Sequence, residues 1–286
     1  KDGQIWDPST VDTYEDVFKD RDPRMVQSIL APDTPWEGGK SGDLLSTDDK
    51  IYTYPLLTNN KTAAMTYSGY YMRKYVEPST VKYVGHDDND LVMLRYAEVL
   101  LNYAEAKAEL NNGTLSKEDW DKTIGALRAR AGVVNIYPDG GWDCGWLKAY
   151  YGNLSNILTE IRRERTVELL AEGLRVQDLY RWKLGPRIVE RQTNNQGWQG
   201  IWVPKDMVGG MEYNGGKYTF TNTKPEAGLG YNVTGSTADQ NHSFSEGDHG
   251  FLTYNYKLEW KDRNYVRPIP QTALNVNKNL VQNYGW

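Results

Sequence analysis

The sequence predicts a mainly α fold: a helical hairpin and one long helix form a scaffold, with extensive irregular loops and short strands around it. Three observations point there. Apolar residues recur at three- and four-residue steps through residues 91–110, 116–131 and 154–184. Turn residues, Gly-Gly pairs and Tyr dominate residues 1–60 and 191–259. The 286 residues are 39% hydrophobic and 25% charged, the balance of a globular chain with a sizeable core.

Residues 1–60 read as turns and short extended pieces, because Asp7-Pro8, Asp22-Pro23, Pro32, Pro35 and Gly38-Gly39 interrupt any long element. Between them Arg24–Leu30 is compatible with a strand or with one helical turn. The Tyr-rich, β-branched stretch from Gly69 to Val84 suggests one or two strands. A helix then runs from Leu91 to Leu110, opened by the acidic cap candidates Asp87, Asp88, Asn89 and Asp90 and stopped by Asn111-Asn112-Gly113. Its packed face is Leu94, Ala97, Leu101, Ala104 and Ala108. Ser116 with Asp119 opens a second helix to Ala131, with Trp120, Ile124 and Leu127 inward. Two antiparallel helices around a short polar turn resemble one tetratricopeptide-type hairpin.

After a Gly- and aromatic-rich loop, residues 154–184 read as one continuous helix closed by Gly185-Pro186. Leu154, Ile157, Leu158, Ile161, Val176, Leu179 and Trp182 share a broad face with Glu164, Arg165, Glu168, Glu172 and Arg175. Charges inside an apolar stripe are costly unless paired. Glu164 and Glu168 suit a catalytic carboxylate pair, but a structural ion network with Arg162, Arg165 and Arg175 is the more economical reading, each acid having a cation within a turn. Residues 191–259 read as long loops and short strands, and a short helix starts near Gln271 behind Pro268 and Pro270.

The chemistry-bearing inventory is thin. A net charge of −5 argues against a nucleic-acid partner. Cys144 is the single cysteine, so no intramolecular disulfide forms. His242 and His249, near Glu246 and Asp248, lack the spacing of a zinc site, and His86 with its acidic neighbours lacks the glycine and terminal Glu of a calcium loop. No metal and no cofactor are expected, and no nucleophile elbow, phosphate loop or dinucleotide fingerprint occurs. No run reaches the roughly 18–20 apolar residues of a membrane span. With 10 Trp and 21 Tyr against 4 Phe, the aromatic balance favours side chains that pair a flat apolar face with a polar handle, which suits stacking on sugar rings. Trp6, Trp36, Tyr52, Trp198 and Trp202, each in a loop beside turn residues, are the stacking candidates.

Three segments resemble the SusD/RagB family. Leu94-Arg95-Tyr96-Ala97-Glu98 through Ala104-Glu105-Ala106 is similar to one of its helices. Ile161-Arg162-Arg163-Glu164-Arg165 through Glu172-Gly173-Leu174-Arg175 to Asp178-Leu179 and Arg181-Trp182 is similar to its most diagnostic stretch. Pro268-Ile269-Pro270-Gln271 to Tyr284-Gly285-Trp286 looks like its terminal segment. The resemblance implies a lipoprotein at the extracellular face of the outer membrane of Bacteroidetes-type bacteria. It implies non-catalytic capture of oligosaccharide, or in some members peptide, for a TonB-dependent, SusC-like transporter. Family members are roughly twice this length, so residues 1–286 are expected to be the C-terminal domain, with the tetratricopeptide-rich N-terminal half and its lipidated cysteine as a missing partner. A role as a scaffold docking the transporter is the competing expectation.

Overall fold

The computed structural model describes residues 6–7, 10, 15–31, 68, 70–76, 90, 92–140, 145–189, 199–203, 211–213, 216–218, 242–246, 250–254 and 259–286. The chain is mainly helical, as the sequence predicts.

A 3-10 turn at Glu15–Phe18 precedes α1, Pro23–Ser28. Pro23 sits at the first helical position, where its missing N–H costs nothing, and the Asp22 carboxylate accepts from Arg24 N at 2.9 Å. Of the two readings of Arg24–Leu30, a strand or one helical turn, the helical one therefore holds up to Ser28. The helix is followed at once by an extended residue, because Ile29 makes an antiparallel bridge to Met72.

The hairpin begins with α2, Tyr96–Leu110, five residues later than the apolar pattern suggests. Ala97, Leu101, Ala104 and Ala108 form its buried stripe, and three alanines on one face allow a close approach by the facing helix; Leu94, expected on that face, precedes the helix and is exposed. Gly113, at φ +84°, ends it by donating its N–H to Ala108 O at 2.8 Å. Ser116 caps α3, Lys117–Trp120, accepting from Asp119 N at 3.1 Å. A π-turn at Asp121–Gly125 carries the chain into α4, Ala126–Ala131. Trp120 is fully enclosed, its Nε1–H held by Asn135 at 2.9 Å and its ring edge-on to Tyr137.

After α5, Gly145–Tyr151, the chain enters α6, Asn156–Glu168, through the cap Ser155. Its hydroxyl accepts from Leu158 N at 3.1 Å and donates to Gly113 O at 2.6 Å, tying the hairpin turn to the start of α6. A β-carbon on Gly113 would lie 2.8 Å from that hydroxyl, so both backbone and space require glycine there.

The expected continuous helix over 154–184 is in fact two. α6 stops at Glu168, and residues 169–174 turn before α7, Arg175–Arg181. Ala171 at φ +65° and Gly173 at φ +78° are left-handed, which no α-helix accommodates. The turn folds Arg175–Trp182 back so that Trp182 packs on Leu147 and Tyr151 beside the main core. That core joins α2, α3, the π-turn, α4 and α6 through Leu101, Trp120, Ile124, Leu127, Leu158 and Ile161.

Behind α8, Pro186–Val189, come β1, Gln199–Val203, the pair β2, Met211–Tyr213, and β3, Gly216–Tyr218, then β4, His242–Phe244, and β5, Gly250–Tyr254. One antiparallel sheet has the order β1-β5-β4, with Trp202 opposite Phe251; β2 and β3 form a separate hairpin. A 3-10 turn at Asp262–Tyr265 and α9, Gln271–Val276, end the chain. Trp286 folds back there, donating Nε1–H to Arg263 O and Val266 O at 2.9 Å each.

Candidate functional site

Two places carry the residues singled out from the sequence. The first is an aromatic corner on the β1-β5-β4 sheet. Pairing of β1 with β5 brings Trp202 against Phe251, with ring centroids 4.8 Å apart and edge-on. Trp6 reaches the same ring from the other end of the chain at 6.2 Å, and the Arg21 guanidinium lies 4.3 Å from the Trp6 ring centre. Trp202 is buried and Trp6 half-buried. Burial lowers the affinity of the Arg21 guanidinium for its proton, opposed by the neighbouring Tyr70. Two stacking candidates, far apart in sequence, thus share one neighbour. Trp36, Tyr52 and Trp198 lie outside the described residues. Phe251 and Arg21 were not singled out, because a lone Phe in a strand and a lone Arg near a turn give no local signal.

The second place is the acidic face of α6. Glu164 is fully buried between two guanidiniums: Arg24 Nη1 donates to Oε1 at 2.5 Å and Arg128 Nε to Oε2 at 2.9 Å. Glu168 accepts from Arg24 at 2.9 Å, Arg95 at 2.5 Å and Arg130 at 2.6 Å. Glu172, in the turn, accepts from Arg95 at 2.7 and 2.8 Å and from Lys74 at 2.6 Å. Arg128 also reaches Glu160, which Arg163 holds as well. Arg165 pairs with Asp178 of α7 at 2.7 Å and with Asn102 of α2 at 2.7 Å. Arg175 stands apart from these acids. Its guanidinium donates to the hydroxyls of Thr166 and Tyr150 at 2.7 Å each and lies over Tyr150, Tyr151 and Trp182. The helix break explains this, since α7 no longer continues the acid-bearing face of α6.

This arrangement decides what the acids can do chemically. Burial alone would push the Glu168 carboxyl up, but hydrogen bonds from Arg130, Arg95 and Arg24 outweigh it and hold it below the usual carboxylate range. Glu160 moves the same way under Arg163 and Arg128, and Glu172 under Arg95 and Lys74. A general acid near neutral pH needs the opposite shift. Of the cations that do this, Arg163 alone lies on α6; Arg24, Arg128 and Arg130 belong to other helices and Arg95 and Lys74 to none, so spacing along α6 gives no sign of them.

Among the described residues no group of three or more His, Cys, Asp or Glu converges as a metal site. Among them, too, no helix is long and apolar enough to cross a membrane.

A SusD-like protein from Bacteroides fragilis superposes on 100% of this chain and 42% of its own, with TM-score 0.59 and 21% identity. A SusD-like carbohydrate-binding protein from the same species superposes on 98% of this chain and 46% of its own, with TM-score 0.62 and 24% identity. At such identities the likeness is one of fold, and the chain spans less than half the length of either protein. No curated protein matches the chain. The match to the SusD family extends over residues 2–286, nearly every position, so the chain belongs to the SusD family.

Proposed function

We propose that this chain is part of a non-catalytic glycan-capture protein at the bacterial cell surface, delivering oligosaccharide to a TonB-dependent outer-membrane transporter through a lipid-anchored whole. Family membership carries the reading, together with the similar fold of a protein described as SusD-like and carbohydrate-binding. The corner of Trp6, Trp202 and Phe251 supports it physically through the half-buried Trp6, because an indole suits the C–H face of a sugar ring, while Phe251 and the buried Trp202 pack beside it. The saturated acids of α6 support the non-catalytic part.

Calorimetric titration of the full chain against a panel of neutral oligosaccharides tests this. Binding is expected, with Trp6→Ala and Trp36→Ala each weakening it by on the order of tenfold. Absence of binding across the panel, or binding untouched by both substitutions, defeats the reading.

The competing scaffold role has one specific observation in its favour. Opposite its core stripe, α2 presents Tyr96 (73% exposed), Val99 (44%), Tyr103 (46%) and Leu110 (84%) on a single face. An apolar face of this kind on a surface helix suits protein docking. Capture of the transporter by this chain without sugar would favour that role.

A further inference from the structure

Arg162 is the exception among the buried arginines. Arg24, Arg128 and Arg165 each donate to two or more acceptors at 3.2 Å or closer. The Arg162 side chain is only 9% exposed, yet its Nη2 reaches a single acceptor, Glu109, at 3.4 Å, and its Nε–H has no partner among the described residues. The head is packed 4.7 Å from the Trp182 ring centre. It forms a wall of a cleft of about 270 Å³ between α2, α6 and the C-terminal end of α7, lined also by Glu105, Glu109, Arg181 and Trp182.

The other charged groups of that cleft are matched. Glu105 accepts from Arg181 at 2.7 and 2.6 Å and from the Trp182 indole at 2.6 Å. Arg181 also bonds Asp178 at 2.8 Å. What the cleft lacks is therefore an acceptor, and specifically a negative one. A buried guanidinium is best compensated by an anion, which a neutral hydroxyl does not supply. Glu109, with its side chain 52% exposed and its contact long, holds the place loosely. Burial pushes the Arg162 guanidinium below the usual arginine range, opposed by Glu105 and Glu109, which is the mark of a cation short of partners.

We propose that the Nε–Nη2 fork of Arg162 is a carboxylate receptor, which an incoming carboxylate enters by displacing Glu109. The planar fork accepts two parallel oxygens, and a monoanion fits better than a phosphate dianion beside Glu105. The carboxylate belongs either to an acidic sugar or to an acidic side chain of a protein segment.

The test is a titration of the full 286-residue chain with sodium acetate, followed by NMR at the arginine Nε–H resonance that Arg162→Lys removes. That resonance is expected to shift and saturate. Glu109→Gln is expected to tighten acetate several-fold, since it removes the competitor, while Arg162→Lys, followed at the Trp182 indole N–H in the same cleft, binds it on the order of tenfold more weakly. Gln keeps an acceptor oxygen beside Arg162, and melting curves recorded on each variant separate a folding defect from a change in binding. Glucuronate and an end-blocked peptide with one glutamate separate the sources: tighter binding of the first assigns an acidic sugar, of the second a protein carboxylate. Equal binding of all three still supports a site for the carboxylate alone. A resonance that acetate leaves unmoved, or a Glu109→Gln chain that binds acetate no better, overturns the proposal.

Discussion

Arg24 and Glu164 are 140 residues apart in the chain and 2.5 Å apart in space. Arg24 also reaches Glu168 on the same helix face and Asp22 beside it, so one guanidinium fastens α1 to the acids of α6. Burial would strip its proton affinity, but bonds to Asp22 and Glu164 raise it well above the usual arginine range. Replacing one partner of such a pair leaves a buried charge short of compensation, which costs more than the intact pair is worth. Arg24→Met is expected to lower stability by about 3 kcal/mol, read as a shift of the denaturant midpoint at unchanged slope. A loss within about 0.5 kcal/mol, the ordinary range of surface substitutions, contradicts the fastening role.

The same network sets the response to acid. Asp22, Glu105, Glu160, Glu168 and Glu172 are all held below their ordinary values, in each case by arginine or lysine overcoming the effect of burial. A carboxylate depressed in the folded state contributes stability that is full above its unfolded value and is lost as pH falls through the folded one. Thermal melts are therefore expected to be flat from pH 7 down to about 4.5 and to fall steeply below it. A main loss centred near pH 6 would instead indicate raised carboxyls or histidine control.

Gly185 packs directly against the Trp260 indole. A β-carbon there would lie 2.1 Å from Trp260 Cζ2, and the Gly185 N–H donates to the Tyr265 hydroxyl at 2.9 Å. Tyr180, Trp260 and Tyr265 form an edge-on trio at this point, joining α7 to the C-terminal segment. Gly185→Ala is expected to cost about 2 kcal/mol by overpacking. In a Trp260→Leu background the same change should cost markedly less, and a double-mutant cycle showing additivity would refute the contact.

The turn between α6 and α7 gives a purely backbone prediction. Gly173 is left-handed at φ +78°, and a β-carbon on it would meet nothing within 4 Å. Gly173→Ala should then cost about 1 kcal/mol through φ alone. A loss above about 3 kcal/mol would indicate a packing role that the turn does not have.

That turn also marks where sequence reading stops. The stripe of Ala97, Leu101, Ala104 and Ala108 was plain, because spacing along one helix is a local property. So were the cap at Ser116 and the stop at Gly113. The break at residues 169–174 was hidden: it contains no proline, its apolar spacing stays helical across it, and Gly173 alone is tolerated in many helices. What imposes the break is tertiary, the packing of Trp182 on Leu147 and Tyr151. In the ion network the acids were legible and most of their partners were not. Arg175 was assigned to acids within a turn of it, and the two left-handed residues turn it towards Thr166 and Tyr150 instead. In the aromatic corner only β-pairing, a long-range event, brings Trp202 to Phe251.

The clasp of Arg24 on α6 also imposes an order of events on biosynthesis. The ribosome releases Arg24 long before Glu164 is polymerised, and for those 140 residues its only anionic companion among the three is Asp22. The α1–α6 clasp therefore cannot close until Glu164 has been made, so this fastening is one that the chain completes across a long stretch of synthesis rather than locally.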